Sequence, residues 1–581
     1  MAQRVPIDRR QFLGYGIGAM AAAGLVSVAP AAARAEEAAS AASSAPAGSF
    51  LIPPDPIGDD QITETFEADI VVVGAGLAGL CAARAAAEAG ASVLVIEKAE
   101  TYQYRSGGFA INGSSIQKEL GMEFDATYNV MSMMKEMGYR TDQRLWNLWR
   151  DHSGECYDWL LEPVSDNYEV LTKDATSYDP DKVSIYTAHF PVETDFDQRA
   201  EFTPAFPQAS LIFLPDMGNV LEPTYQKSVA DGAEYHFATW ARQLVRGDER
   251  VEAVIAQDID GNYLRFNAKK AVILCAGEYG NNTEMVKYYC GGRTWPPLTF
   301  PNIDAKGDPT NTGEGLCMGA WIGAKVEDGP HAPMTHTLGG ALGTDPYFMC
   351  NALGYRFCNE DVGGQQLSSQ IYRQPGDYAW QIFDDTYPES IKSVNYAHGS
   401  VNKVVDDADL PRMEGAQLTL GRTSLTSREE IESFEGYPVP DGVGCLMADT
   451  LDELFEKMQL DDAAKTVLAA EIARYNELCE KGVDEDFGKD AVRMASITKP
   501  PFYASRVAAG VMLTCMGGLT VDPVSLNVVD ADYKPIPGLY AAGNTMGGMF
   551  VQDCPVSNGG NTHGKALVTG KLAAEYAVAN N

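Results

Sequence analysis

Cysteine pairs at metal or haem spacing are missing from this chain. Its eleven cysteines stand at 81, 156, 275, 290, 317, 350, 358, 445, 479, 515 and 554, and no two are separated by two residues. That excludes a Cys-x-x-Cys-His haem attachment, a zinc ribbon and an iron–sulfur run, and no metal site is expected. The number is odd, so at least one thiol is unpaired within the chain, and a disulfide framework is not expected at this size. Basic residues are scarce as well: 44 Lys and Arg face 80 Asp and Glu, a formal charge of −36. Residues 1–35 hold four Arg and one Asp, so the remainder carries about −39. Such a surface repels nucleic acid and anionic membranes, and a small-molecule partner is the expectation. The bland account of the same acidity is solvation.

What is present begins with an address. Asp8-Arg9-Arg10-Gln11-Phe12-Leu13 sets paired arginines before an Ala- and Gly-rich stretch with no charge until Arg34, and Ala33-Arg34-Ala35 is a small-x-small cleavage site. This is the layout of a twin-arginine export signal over residues 1–35, placing the protein in the periplasm or elsewhere outside the cytoplasm. An uncleaved membrane anchor is the alternative. Residues 36–65 read as a flexible linker, since 38–56 are mostly Ala, Ser, Pro and Gly. The chain of 581 residues with 45% hydrophobic and 9% aromatic content is long enough for two domains or one large one.

The first chemical motif is a unit rather than a single pattern. Ala68-Asp69-Ile70-Val71-Val72-Val73 is a short apolar run of the buried parallel-strand type. It ends in Gly74-Ala75-Gly76-Leu77-Ala78-Gly79, followed by an Ala-rich helix to Ala89, a second strand from Ser92 to Ile96, and Glu97-Lys98. Gly74 permits the tight turn, Gly76 lets a pyrophosphate approach the backbone, and Gly79 lets helix pack on strand. The helix N-terminus offers free N–H groups and a positive dipole end, and Glu97 can accept from a ribose diol. These features specify a dinucleotide without choosing between NAD and FAD.

Later segments make that choice. Ser106-Gly107-Gly108 follows the first unit, Lys270 to Cys275 reads as a buried strand ending in Ala276-Gly277, and Gly538 to Asn544 repeats the strand-then-glycine theme. Val251–Val254 leading to Asp260-Gly261-Asn262 is a hairpin signal. Gly559-Gly560-Asn561-Thr562 opens a helix expected to reach Tyr576. With Thr312-Gly313-Glu314-Gly315, Gly354 to Glu360, Trp380 to Asp384, Arg474-Tyr475-Asn476, Asp486 to Lys489 and Pro501 to Ala504, the chain from about Glu67 onward resembles the flavoprotein subunits of soluble fumarate reductases and the 3-ketosteroid dehydrogenases. The resemblance implies an α/β protein: a Rossmann-like FAD-binding domain over 66–330 and 509–581, with an α+β capping domain, 331–508, inserted in it. It implies that FAD is held by Gly74 to Gly79, Glu97, Lys98, Ser106, Gly107, Gly108, Ala276, Gly277, Glu314, Asn544, Gly560, Asn561 and Thr562. Some members attach FAD through a His just before the paired glycines; residues 101–106 contain none, so non-covalent FAD is implied.

The departures bear on substrate. Fumarate reductases carry an Arg proton donor a few residues after the Asn-Glu matching Asn359-Glu360, a His before Thr-Met-Gly-Gly, and an Arg shortly before the last Gly-Gly-Asn. Here those places hold Gly364, the stretch Leu513-Thr514-Cys515, and Cys554-Pro555-Val556-Ser557-Asn558. Bidentate carboxylate recognition favours Arg, so fumarate is not an expected substrate. The ketosteroid enzymes put Tyr where Gly364 and Cys554 fall, so that pattern is also broken. The candidates for catalytic groups are His331, Tyr372, Arg373, Asp553 and Ser557; His336, His563 and Arg356 are read as packing or structural residues. The expected reaction is FAD-dependent reduction of the carbon–carbon double bond of an α,β-unsaturated small molecule, an enone or enoate with room for an aromatic one, by an exported enzyme of anaerobic respiratory type. The alternatives are desaturation in the ketosteroid-dehydrogenase direction, or a flavin protein that only relays electrons. A reductase outside the cytoplasm also needs an external electron donor, a cytochrome or flavoprotein fed by membrane quinol.

Overall fold

The computed structural model describes residues 5–6 and 48–580, except 174, 176, 188–189, 193–196, 198, 200–203, 292–301, 340–341, 343–345, 363, 391–392, 394–444, 553 and 556. Most of the expected export signal and the first part of the expected linker lie outside the described residues. From Ser49 onward the chain is anchored, because Ser49 N and Oγ both donate to Glu284 and Trp321 Nε1 donates to the Phe50 carbonyl.

One large sheet carries the dinucleotide unit. Ile62–Val73, Val93–Ile96, Ala233–His236, Tyr263–Leu274 and Pro535–Ala541 run parallel, with Ile62–Val73 between Val93–Ile96 and Tyr263–Leu274. Ile70, Val71 and Val72 are fully buried, as β-branched residues in a parallel strand covered on both faces should be. Tyr263–Leu274 is long enough to serve two neighbours besides Ile62–Val73. Its first half pairs antiparallel with Val251–Gln257, completing the hairpin expected at Asp260-Gly261, and its last residues pair with Leu539 to Ala541.

The Ala-rich helix spans Leu77–Glu88 and is buried along nearly its whole length. Small side chains allow that burial. The C-terminal helix, Asn561–Asn580, crosses it so closely that a Cβ on Gly570 would sit 2.4 Å from the Ala78 carbonyl oxygen. This last helix runs four residues beyond the expected end, since nothing after Tyr576 breaks it.

The inserted unit has its own sheet: Ala332–Gly339, Phe502–Met516, Tyr378–Asp384 and Phe348–Asn351 in that order, with Cys445–Ala448 also on Phe502–Met516. The helix Asp462–Lys481 covers it, burying Leu468, Ile472 and Tyr475 against Phe348 and Ile382. The architecture is therefore the expected one, an α/β FAD-binding domain carrying an inserted α+β cap. The boundary expected at 508/509 falls inside Phe502–Met516, a single strand that belongs to the cap sheet and ends against the FAD domain. A buried ion cluster closes the cap: Arg356 reaches Glu360 at 2.8 Å and Asp484 at 2.7 Å, and Lys489 lies 3.4 Å from Glu360. No helix among the described residues is long and apolar enough to cross a membrane. Of the ten cysteines described as free thiols, all but Cys479 are buried.

Candidate active site

The glycine loop is built as its spacing requires. Gly74 sits at φ +102°, and a Cβ there would meet the Cys275 carbonyl oxygen at 2.4 Å. A Cβ on Gly79 would lie 1.9 Å from the Gly74 carbonyl oxygen, so only glycine lets helix and loop meet. Gly76 caps the helix without a side chain, and a Cβ on it would find nothing nearer than 3.7 Å. Its outer face is thus open, with the free amides of the first turn beside it.

That loop opens on a cleft lined by Gly74, Gly76, Glu97, Lys98, Ala276, Gly277 and Glu314, among others. Glu97 accepts from the amides of Ala75 at 2.7 Å and Ala99 at 2.8 Å, which fixes the carboxylate beside the loop, while burial raises its pKa. Lys98 donates to Thr312 Oγ1 at 3.0 Å and Glu314 Oε1 at 2.7 Å, closing the far wall. At the other end Ser106 takes φ +61° and the Gly107 backbone lies against Phe213, where a Cβ would be 2.4 Å from a carbonyl oxygen. Gly560 approaches Gly108 equally closely, and Asn561 holds the preceding turn by donating to the carbonyls of Pro555 and Asn558. Asn544 donates to Thr514 Oγ1 at 3.2 Å, and its Oδ1 is buried without a hydrogen-bond partner among the described residues. Open glycine backbone, an acid at the second strand end and an orphaned amide oxygen fit FAD. The Gly74–Gly79 loop and Glu97 would hold its adenosine diphosphate half, and Ser106–Gly108, Asn544 and Gly560–Thr562 the rest.

The candidate catalytic residues sit in different settings. His331 is fully buried: Nδ1 pairs with Tyr279 Oη at 2.6 Å, Nε2 with the Glu327 carbonyl at 3.1 Å, and its ring stacks on Tyr289 at 4.4 Å. Burial lowers its pKa to about 4, so it is neutral in the folded protein. Tyr372 packs half-buried at the end of the cap helix Gly364–Ile371, while Arg373 is exposed. Asp553 lies outside the described residues. Ser557 is buried in the loop before the last helix, and its backbone carbonyl accepts from Phe206 N at 2.8 Å. His563 Nδ1 pairs with the Gly108 carbonyl, at the helix start.

Other buried or half-buried polar groups hold this floor together and were not among the candidates. Arg105 donates to the Leu513 carbonyl at 3.1 Å and to Asn311 at 2.6 Å; Glu278 accepts from Cys515 N at 3.0 Å and from Asn311. Glu327 accepts from Gly518 N at 2.9 Å and Gly548 N at 2.6 Å, tying two glycine turns together. Burial raises its pKa to about 7, and the same burial lowers that of Lys565, which donates to the Met546 carbonyl, to about 8. Only Glu278, directly after Ala276-Gly277, had a sequence signal that could have singled it out.

Fold and cleft together are those of an FAD-binding flavoprotein with an inserted cap. The chain matches the FAD-binding domain family over residues 69–553 and belongs to it. It is 27% identical to the vinyl phenol reductase of Lactiplantibacillus plantarum over 88% of this chain and 96% of that protein. It is 28% identical to the digoxin reductase of Eggerthella lenta, over 83% of this chain and 82% of that one. The cytochrome-type fumarate reductase of Shewanella frigidimarina is 24% identical, covering 88% and 76%. Among solved structures, a 3-ketosteroid-Δ4-(5α)-dehydrogenase from Rhodococcus jostii superposes with a TM-score of 0.61 at 20% identity, covering 90% of this chain and 99% of that one. A flavocytochrome c3 fumarate reductase in an open conformation gives 0.55 at 22%, covering 90% and 81%. At those identities the structures speak for the fold alone. The protein uses FAD and is an FAD-dependent oxidoreductase acting on CH–CH groups.

Proposed function

We propose that this enzyme reduces the carbon–carbon double bond of an uncharged, conjugated small molecule, and that fumarate is not its substrate. The observation that carries the reading is the chemistry of the two segments that stand where the fumarate reductases carry a His and an Arg. Leu513-Thr514-Cys515 and Cys554 to Asn558 offer hydroxyl, thiol, amide and apolar groups and no cation to pair with a carboxylate. The relatives named for vinyl phenol and digoxin support the same direction. Bound FAD, held non-covalently, supplies the hydride chemistry. The chain's own residues do the rest. The Gly74–Gly79 amides and the helix start bind phosphate, Glu97 orients the ribose, and Thr514 with Asn544 forms the floor beside the cleft. Stopped-flow mixing of the reduced enzyme with enones, vinylarenes and fumarate tests this. Rapid flavin reoxidation by the neutral acceptors and none by fumarate is expected; turnover of fumarate at about 1 per second or faster overturns the reading. Reduction of the oxidised enzyme by saturated ketones would instead favour desaturation.

The same reading includes export and an external donor. The arginine pair at Arg9-Arg10 supports delivery outside the cytoplasm, where NADH is not supplied, and the chain's cysteine spacing supports FAD as its one redox centre. A cytochrome or flavoprotein fed by membrane quinol then brings the electrons by a transient, small contact. Activity with reduced methyl viologen but not with NADH is the expected result, and rapid reduction by NADH alone refutes this part.

A further inference from the structure

Two buried polar atoms lie on the two sides of the seam where the cap helix leans on the loop before the last helix, and neither has a hydrogen-bond partner among the described residues. One is Ser557 Oγ, on a residue only 3% exposed in the loop before the last helix. The other is Gln366 Oε1, on the cap helix Gly364–Ile371. Gln366 Nε2 donates to the Cys554 carbonyl at 3.4 Å, three residues along the chain from Ser557, so the cap helix leans on the very loop that carries the serine. That donation also assigns the amide, because a carbonyl can only accept, and it leaves Oε1 as the free end.

The loop is not free to turn its hydroxyl elsewhere. Asn558 and Asn129 exchange two side-chain hydrogen bonds, Asn561 ties down Pro555, and Phe206 N holds the Ser557 carbonyl at 2.8 Å. A buried donor or acceptor left unpaired costs about 1–3 kcal/mol, and apolar residues of similar size would avoid that cost. A pair of such atoms on two different units, pinned in place, is what a ligand-binding seam requires.

Resting on the reductase reading above, we infer that Ser557 and Gln366 together recognise a hydroxyl group of the substrate, most specifically a phenol. The complementarity is one of hydrogen-bond sense. Ser557 Oγ can donate, and Gln366 Oε1 can only accept. A hydroxyl both accepts and donates, so it satisfies both atoms at once. A ketone oxygen satisfies only the serine, and a carboxylate would face the amide oxygen with a second acceptor. The neighbourhood suits a flat ring. Phe206, adjacent through its backbone bond to Ser557, packs against Phe124 and Tyr128 with centroid separations of 5.9 Å in both cases. Aromatic rings of this kind favour an aromatic body beside them.

The test separates recognition from turnover. Non-reducible 4-ethylphenol and ethylbenzene are titrated into the oxidised holoenzyme and read through the flavin absorption spectrum. The phenol should bind about tenfold or more tightly, the worth of one to two well-made hydrogen bonds. Ser557→Ala and Gln366→Leu should each erase most of that preference while leaving ethylbenzene binding and FAD content unchanged, and Ser557→Thr should retain it. Equal affinity for the two ligands in the unaltered enzyme, or variants that weaken both ligands alike, overturns the pair. Reduced enzyme is then mixed with 4-vinylphenol and with styrene. A phenol preference in binding without reoxidation by 4-vinylphenol leaves the recognition pair standing and refutes the reductase reading. Reoxidation by both acceptors without any binding preference does the reverse.

Discussion

Asn129 and Asn558, 429 residues apart, are joined by two reciprocal side-chain hydrogen bonds of 2.6 and 3.0 Å. Both are buried, and through this pair an early helix fixes the loop that precedes the last one. Replacing Asn129 with Ala takes the donor from the buried Asn558 amide oxygen, while Asn558 Nδ2 keeps Asn561 Oδ1 at 3.3 Å. The expected loss is about 1–3 kcal/mol of stability, with weaker substrate binding and unchanged flavin content. Chemical denaturation and substrate titration check it; an unaltered KM would show that the loop holds its shape without the pair.

The glycine loop predicts cofactor loss from a single methyl group. In Gly79→Ala the new Cβ would fall 1.9 Å from the Gly74 carbonyl oxygen, which is backbone and cannot step aside. The variant should purify colourless or unstable. A yellow protein with normal flavin absorbance would show that helix and loop separate more readily than the packing implies.

His331 predicts an acid limit. Its folded pKa of about 4 lies below the ordinary value of 6.5, because burial disfavours the charged ring. The unfolded chain therefore binds more protons between those values, and stability falls as pH drops from about 6.5 to 4. The shift corresponds to about 3 kcal/mol. His331→Gln removes this contribution, so its denaturation midpoint should vary less with pH across that window than the parent's. Parallel pH curves for the two proteins would contradict it.

Arg356 predicts the strength of the cap. It is paired with Glu360 and Asp484, all three buried, and Arg356 holds the Asp484 carboxyl down to about 2. Removing one member of a buried ion cluster leaves its partners uncompensated, at about 3–5 kcal/mol. Arg356→Ala should lower the melting temperature and open the cap region to proteolysis while FAD remains bound. Simultaneous loss of FAD would indicate that the two units unfold together.

The parts of the site legible in the sequence are those that backbone geometry enforces locally. Gly74, Gly76 and Gly79 stand two and three positions apart, and turn, approach and packing each demand glycine at its own place. Glu97 follows because a strand end fixes where an acid must stand. The hairpin at Asp260-Gly261 was readable for the same reason. What the sequence hides are partners brought together only by the closed fold: Arg105 with Leu513, Glu327 with Gly518 and Gly548, Gln366 with Cys554. None of these pairs has a spacing that local periodicity could reveal. His331 shows the converse. Its position suggested chemistry, yet Tyr279, Tyr289 and the Glu327 carbonyl surround it, and no neighbouring residue in the sequence announces that environment.

The strand Phe502–Met516 runs from the middle of the cap sheet to the floor of the flavin cleft, about 50 Å of continuous backbone at the usual rise. Near its far end Thr514 meets Asn544, while Phe502 to Ala508 pair with Tyr378–Asp384 deep in the cap. Lid and hearth thus share one beam. On this side of the molecule no loop separates them to absorb a swing, so a cap that tilts must also turn or bend the strand that presents Thr514. Substrate admission and the posture of the flavin's surroundings become a single mechanical coordinate. A substitution far out on the cap sheet should then register as a change in flavin fluorescence or redox potential before it registers as a change in fit.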